Sequence, residues 1–181
     1  LYFVHRTSYI CKMSYQSIVT KLTQKNVTLV AVSKTKPASA IQELYNQGQR
    51  HFGENKVQEL VGKAETLPHD IHWHLIGHLQ RNKVKYIAPF VYLIHSVDSL
   101  SLLQEVNKQA AKASRTIDCL LQIFIATEET KFGLSETELH ELLQSPEYAQ
   151  MQNIRIRGLM GMASNTEDEA QVKREFASLK T

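Results

Sequence analysis

From Ser14 onward the chain alternates: a short β-rich apolar run, then an amphipathic stretch, six times over. Strand-like runs fall at about 27–33, 50–52, 71–76, 91–95, 116–125 and 154–160. The first, Val27 to Ser33, has the unbroken apolar character of a strand buried on both faces of a parallel sheet. A helix over 14–25, with Ile18, Val19 and Leu22 on one face, precedes it. The others follow the strands. Pro37 opens one and Gly48 closes it. Val57, Leu60, Val61 and Ala64 set a helical period over 54–66, and Pro89 stops a basic helix over 80–88. Leu102, Leu103, Val106 and Ala110 stripe a helix over 99–113, capped by Asp98 or Ser99. Ser135 with Glu138 forms a capping box for a helix to Gln144, and Thr166 with Glu169 repeats that signature before a last helix with Val172, Phe176 and Leu179 inward.

Strict βα alternation implies right-handed crossovers and a parallel sheet. Neither G-x-G-x-x-G nor a P-loop follows the first strand, which weakens the open, doubly wound nucleotide-binding sheet. The other architecture is a (β/α)₈ barrel, with eight strands in typically about 250 residues. The expectation is therefore an α/β, TIM-like barrel lacking its last two βα units in this chain. Residues 13–181 form one domain on this reading, without repeats or linkers. Residues 1–12 are expected to be a tag remnant or upstream extension, because Met13 opens a normal protein start. Without their Arg6 and Lys12 the net charge falls from +3 to +1. That small charge, with no basic cluster, speaks against nucleic acid, and no apolar run nears the roughly 18 residues that span a bilayer. Two cysteines, Cys11 and Cys119, without metal-like spacing suit a reducing, cytoplasmic setting.

Barrel sites lie at the C-terminal ends of strands. Val30, Val32 and Lys34 share one strand face, which places the Lys34 amine at the rim above two apolar residues. Partial desolvation there favours the free amine, the form that attacks an aldehyde. Lys36 is the competitor, but Pro37 puts it in the loop. The later strand ends carry Gly53-Glu54-Asn55, His74 to His78, His95-Ser96, Lys131-Phe132-Gly133 and Gly158 to Met162. His69, His72, His74 and His78 crowd ten residues, yet no H-E-x-x-H or carboxylate grouping completes a metal site, so a structural or supporting role is expected. Ser33 and Lys34 point to opposite faces and make no Ser-Lys pair.

Six strings occur in order: Ala31-Val32-Ser33-Lys34-Thr35-Lys36-Pro37, Phe52-Gly53-Glu54-Asn55, Trp73 through Lys83, His95-Ser96-Val97-Asp98, Lys131-Phe132-Gly133 and Arg157-Gly158-Leu159-Met160. Together they resemble the pyridoxal-phosphate homeostasis protein family, which is related to the barrel domain of alanine racemases. The resemblance implies pyridoxal 5′-phosphate (PLP) as cofactor, held as a Schiff base on Lys34, with Asn55, His74 and Met160 lining its pocket. It implies a non-catalytic PLP carrier, monomer or weak dimer, with PLP-dependent apoenzymes as recipients and no second domain. The alternatives are an amino-acid racemase, although those racemases take a tyrosine from a second domain, and a scaffold that binds no cofactor. Family members carry phosphate-cradling Ser-x-Gly-Met-Ser and Arg-x-Gly segments after the sixth helix, and this chain has neither.

Overall fold

The computed structural model describes residues 14–126 and 132–180, so residues 1–12, Cys11, Lys131 and Thr181 lie outside the described residues. Six parallel strands form one sheet in sequence order: β1 (Ala31–Val32), β2 (His51–Glu54), β3 (His72–Leu75), β4 (Leu93–Val97), β5 (Ile117–Ile123) and β6 (Ile154–Gly161). Consecutive parallel neighbours joined by helices are the wall of a (β/α) barrel rather than a doubly wound sheet, whose strand order reverses at a switch point. Among the described residues, β1 and β6 are the edges.

The helices are α1 (Tyr15–Thr23), α2 (Ala38–Asn46), α3 (Val57–Thr66), α4 (Val84–Ile87), α5 (Leu100–Lys112), α6 (Glu136–Gln144), α7 (Pro146–Ala149) and α8 (Glu169–Ala177). Helices α2 to α6 bury residues against one face of the sheet. Phe52, Trp73, Leu75, Ile94, Cys119 and Leu121 point into that layer and meet Leu60 of α3, Ile87 of α4, and Leu103 and Val106 of α5, all buried in one core. Strand residues of alternate parity fall on the other face, which no helix covers among the described residues.

The capping box of α6 is present, with Glu138 reaching back to the Ser135 N–H. Ser99, not Asp98, caps α5. Several expectations need correction. β1 is two residues long rather than seven, and Val32 is 36% exposed, because an edge strand with one partner has one uncovered face. Glu54 ends β2 instead of starting a helix, and α3 begins at Val57. The 80–88 segment splits into a 3₁₀ turn, Arg81–Lys83, and the single-turn α4. Asp168 caps α8 by accepting from the Ala170 and Gln171 N–H groups, while Thr166 Oγ1 accepts from Asp168 N–H. Phe176 is exposed, and the buried residue of α8 is Glu175, which accepts from Ser164 N–H and Oγ–H.

Candidate functional site

Ladder register places His74 and Met160 on the helix-free face, and Lys34 and Asn55 follow the C-terminal ends of β1 and β2. Val32, Gly53 and His74 are level on β1, β2 and β3, and Lys34 and Asn55 lie two residues further along their chains. Met160 comes from β6 at the far edge, paired with Gln122 of β5. Lys34 follows β1, Asn55 follows β2 and His74 lies in β3, three adjacent strands, with Met160 across the sheet.

Lys34 is half-buried and sits not in β1 but in the turn after it. The turn is drawn by Ser33 N–H donating to Gly53 O at 3.0 Å and Lys36 N–H donating to Ser33 O at 3.0 Å. Lys36 is exposed. Asn55 is held from the next loop: a Cβ on Gly77 would lie 2.6 Å from Asn55 O, so only glycine lets the two loops touch there. Gln122, 3% exposed, donates through Nε2 to Phe132 O at 2.7 Å, and Lys131 lies outside the described residues.

His74 belongs to a run of imidazoles. His72 Nδ1 meets His51 Nε2 at 3.2 Å, His51 Nδ1 meets His74 Nε2 at 2.9 Å, and His74 Nδ1 meets His95 Nε2 at 2.8 Å. Tyr92 stacks on His72 with ring centroids 4.3 Å apart. Burial, reinforced by the neighbouring histidines, pushes His74 down to about 2, and burial pushes His95 down to about 4. His51 is lowered too, first by burial and then by His72. The His51, His74 and His95 rings are therefore neutral near pH 7. His74 has both nitrogens engaged and can offer a ligand its ring face.

Behind Lys34, on the helix-covered side, lies a charged cluster that motif reading missed. Lys63 Nζ donates to Glu54 Oε1 at 2.8 Å, Glu59 Oε1 at 2.7 Å and Ser33 O at 2.8 Å. Ser33 Oγ donates to Glu54 Oε1 at 2.5 Å. Glu54 is fully buried, and burial raises its carboxyl pKa despite the hydrogen bonds from Lys63 and Ser33. The hydrogen bond from Lys63 holds Glu59 below its usual value. The i,i+4 spacing of Glu59 and Lys63 was a visible signal, but ordinarily it marks a solvated helix pair. His51 and His95, the flanking members of the imidazole run, were also missed.

The donor set is an amine, an amide, a neutral imidazole and a thioether at one end of the strands. Its chemistry suits an aldehyde-bearing aromatic cofactor, since an amine can attack an aldehyde, an amide can orient a polar substituent, and an imidazole and a thioether can pack against a ring.

The alanine racemase N-terminal domain family matches residues 12–181. The pyridoxal phosphate homeostasis protein of Aquifex aeolicus (strain VF5) is 40% identical over 154 residues, which cover 84% of this chain and 66% of that protein. The chain belongs to the alanine racemase N-terminal domain family. Within this family it sits beside the homeostasis proteins: PipY of Synechococcus elongatus PCC7942, in a structure with PLP bound, is 37% identical with a TM-score of 0.77, covering 90% of this chain and 76% of PipY. An alanine racemase of Clostridium difficile 630 shares the family fold at a TM-score of 0.69 and 13% identity, covering 90% of this chain and 44% of its own. The barrel-type architecture expected from βα alternation is thus the fold of the family. The chain spans just under two thirds of the Aquifex protein's length.

Proposed function

We propose that this chain holds PLP covalently through Lys34 and serves PLP homeostasis as a non-catalytic carrier. The observation that carries the reading is the placement of Lys34. It is a half-buried residue two positions beyond Val32, whose ladder partner Gly53 is in turn paired with His74. The homology to PipY, whose structure contains PLP, supports it. When bound, the cofactor supplies an aldehyde and a ring that withdraws electrons. Lys34 contributes the nucleophilic nitrogen, Asn55 a donor and acceptor to orient a polar ring substituent, His74 a neutral ring face, and Met160 a polarizable apolar contact.

The recipients on this reading are PLP-dependent apoenzymes, and the setting is the cytoplasm. Among the described residues no helix is long and apolar enough to cross a membrane. The racemase alternative gains nothing from the racemase neighbours, whose identity of 13–17% speaks for fold alone.

The test is to add PLP, reduce with borohydride and locate the pyridoxyl group by mass spectrometry, both in this chain and in a version extended to the length of its relatives. Labelling at Lys34 is expected. Labelling elsewhere, or none in the extended protein, would overturn the assignment. Robust alanine racemisation by the pure protein would overturn the carrier reading.

A further inference from the structure

We infer that Glu54, Glu59 and Lys63 are positioning residues for Lys34, acting through the backbone on either side of it; this rests on Lys34 being the cofactor's anchor. The two neighbours of Lys34 are both tied to the cluster. Before it, Ser33 offers its carbonyl to Lys63 at 2.8 Å and its hydroxyl to Glu54 at 2.5 Å. After it, Thr35 N–H donates to Glu59 Oε1 at 2.7 Å. Lys63 Nζ reaches Glu54, Glu59 and Ser33 O, so one ammonium joins both halves of the turn. Lys34 lies between these clamped neighbours.

The backbone gives a second, independent sign. Thr35 has φ +62°, a left-handed conformation that a β-branched residue rarely adopts. Such a conformation persists where the surroundings over-determine it. Here the Glu59 carboxylate, charge-balanced by Lys63, receives the Thr35 N–H and holds that geometry. The cluster is also an unlikely stabiliser in its own right. Glu54 is fully buried, the Lys63 side chain is 10% exposed, and Glu54 Oε2 lacks a hydrogen-bond partner among the described residues. A buried charge pair with an unsatisfied oxygen is weak evidence for stability, since an apolar pair of similar volume serves as well. What an apolar pair lacks is the directional contacts to Ser33 and Thr35. In consequence, the cluster presets the direction of the Lys34 amine, so that the segment is ordered before an aldehyde arrives.

The experiment compares wild type, Glu59→Gln, Lys63→Met and Glu59→Gln/Thr35→Gly. Glu59 is the gentlest site because its side chain is 26% exposed. Two readouts are taken. The first is amide hydrogen exchange over residues 33–36 without cofactor. The second is the rate of borohydride-trapped PLP labelling at Lys34. In Glu59→Gln, faster exchange at Thr35 and labelling slowed roughly tenfold are expected, as a charge-assisted hydrogen bond becomes a neutral one. Lys63→Met should slow labelling further. Thr35→Gly should return the double variant to within about threefold of wild type, because glycine adopts positive φ without steric cost. A merely structural role for Glu59 would show no such rescue. Unchanged exchange and labelling in Glu59→Gln, or loss without glycine rescue, overturns the positioning role while leaving Lys34 as the anchor. Absence of Lys34 labelling in wild type overturns the anchor and the positioning role together. If Lys63→Met fails to fold, Glu59→Gln and its rescue still decide.

Discussion

The two faces of the sheet are made by the same strands and obey different rules. On the helix-covered face, Phe52, Trp73, Leu75, Ile94 and Leu121 are buried apolar side chains packed against the helices. On the other face the same strands present His51, His72, His74, His95, Asp118, Gln122, Arg155 and Arg157. The first face is held by contact area, which is non-directional. The second is held by hydrogen bonds and ion pairs, which depend on protonation and geometry. The difference teaches that fold and chemistry are carried by alternate residues of one strand.

Acid should break the comparison most strongly. His74 and His95 are held near 2 and 4 in the folded protein against an ordinary value of 6.5, so the unfolded chain binds more protons between those limits. The neutral rings favour folding above pH 6.5, and that contribution is lost as pH falls towards 4 and, for His74, towards 2. Each histidine contributes a slope of up to roughly 1.4 kcal/mol per pH unit in its window. Denaturant titrations from pH 7 to 4.5 should show stability falling by several kcal/mol on the order of that slope summed over two histidines. A flat profile would contradict the buried neutral imidazoles.

Next in size, Leu75→Ala on the helix-covered face should cost about 2–5 kcal/mol in the same titration, since it leaves a cavity in a close-packed core. Its immediate neighbour His74→Leu should cost about 1–3 kcal/mol, by stripping His51 and His95 of a hydrogen-bond partner. It should also flatten the pH profile, which Leu75→Ala leaves in place. Smallest is Arg155→Ala. Arg155 Nε lies 2.7 Å from Asp118 Oδ1, but its side chain is 59% exposed, so the loss should stay below about 1 kcal/mol.

Much of the helix-covered face was legible in the sequence. The 3.6-residue stripe of α5 and the apolar positions of β3 and β5 are local signals of burial, and Leu102, Leu103 and Val106 are buried as that stripe requires. Short or edge elements were legible only in outline. The apolar run at 27–33 reads as a long strand, yet pairing with β2 alone leaves two strand residues. The strand-end motifs were legible as the segments that follow β1 and β2 and close β3, where Lys34, Asn55 and His74 lie. The Glu54–Glu59–Lys63 cluster was not legible, because its meaning comes from Ser33 and Thr35 arriving from another strand. The Thr166 signature misplaced the helix start by two residues: Thr166 Oγ1 accepts from Asp168 N–H, and Asp168 caps the first turn by accepting from Ala170 and Gln171 N–H.

The imidazole run has a consequence beyond its burial. Its three contacts all read the same way, Nδ1 of one ring to Nε2 of the next, from His72 to His95. A neutral imidazole owns one N–H. His51, His74 and His95, the rings that burial keeps neutral, satisfy the two contacts between them in only two ways: every one a δ tautomer, or every one an ε tautomer. Any mixed arrangement leaves a contact with two protons or none. These three histidines therefore share a single binary orientation, and whatever sets the tautomer at His51 sets it at His95.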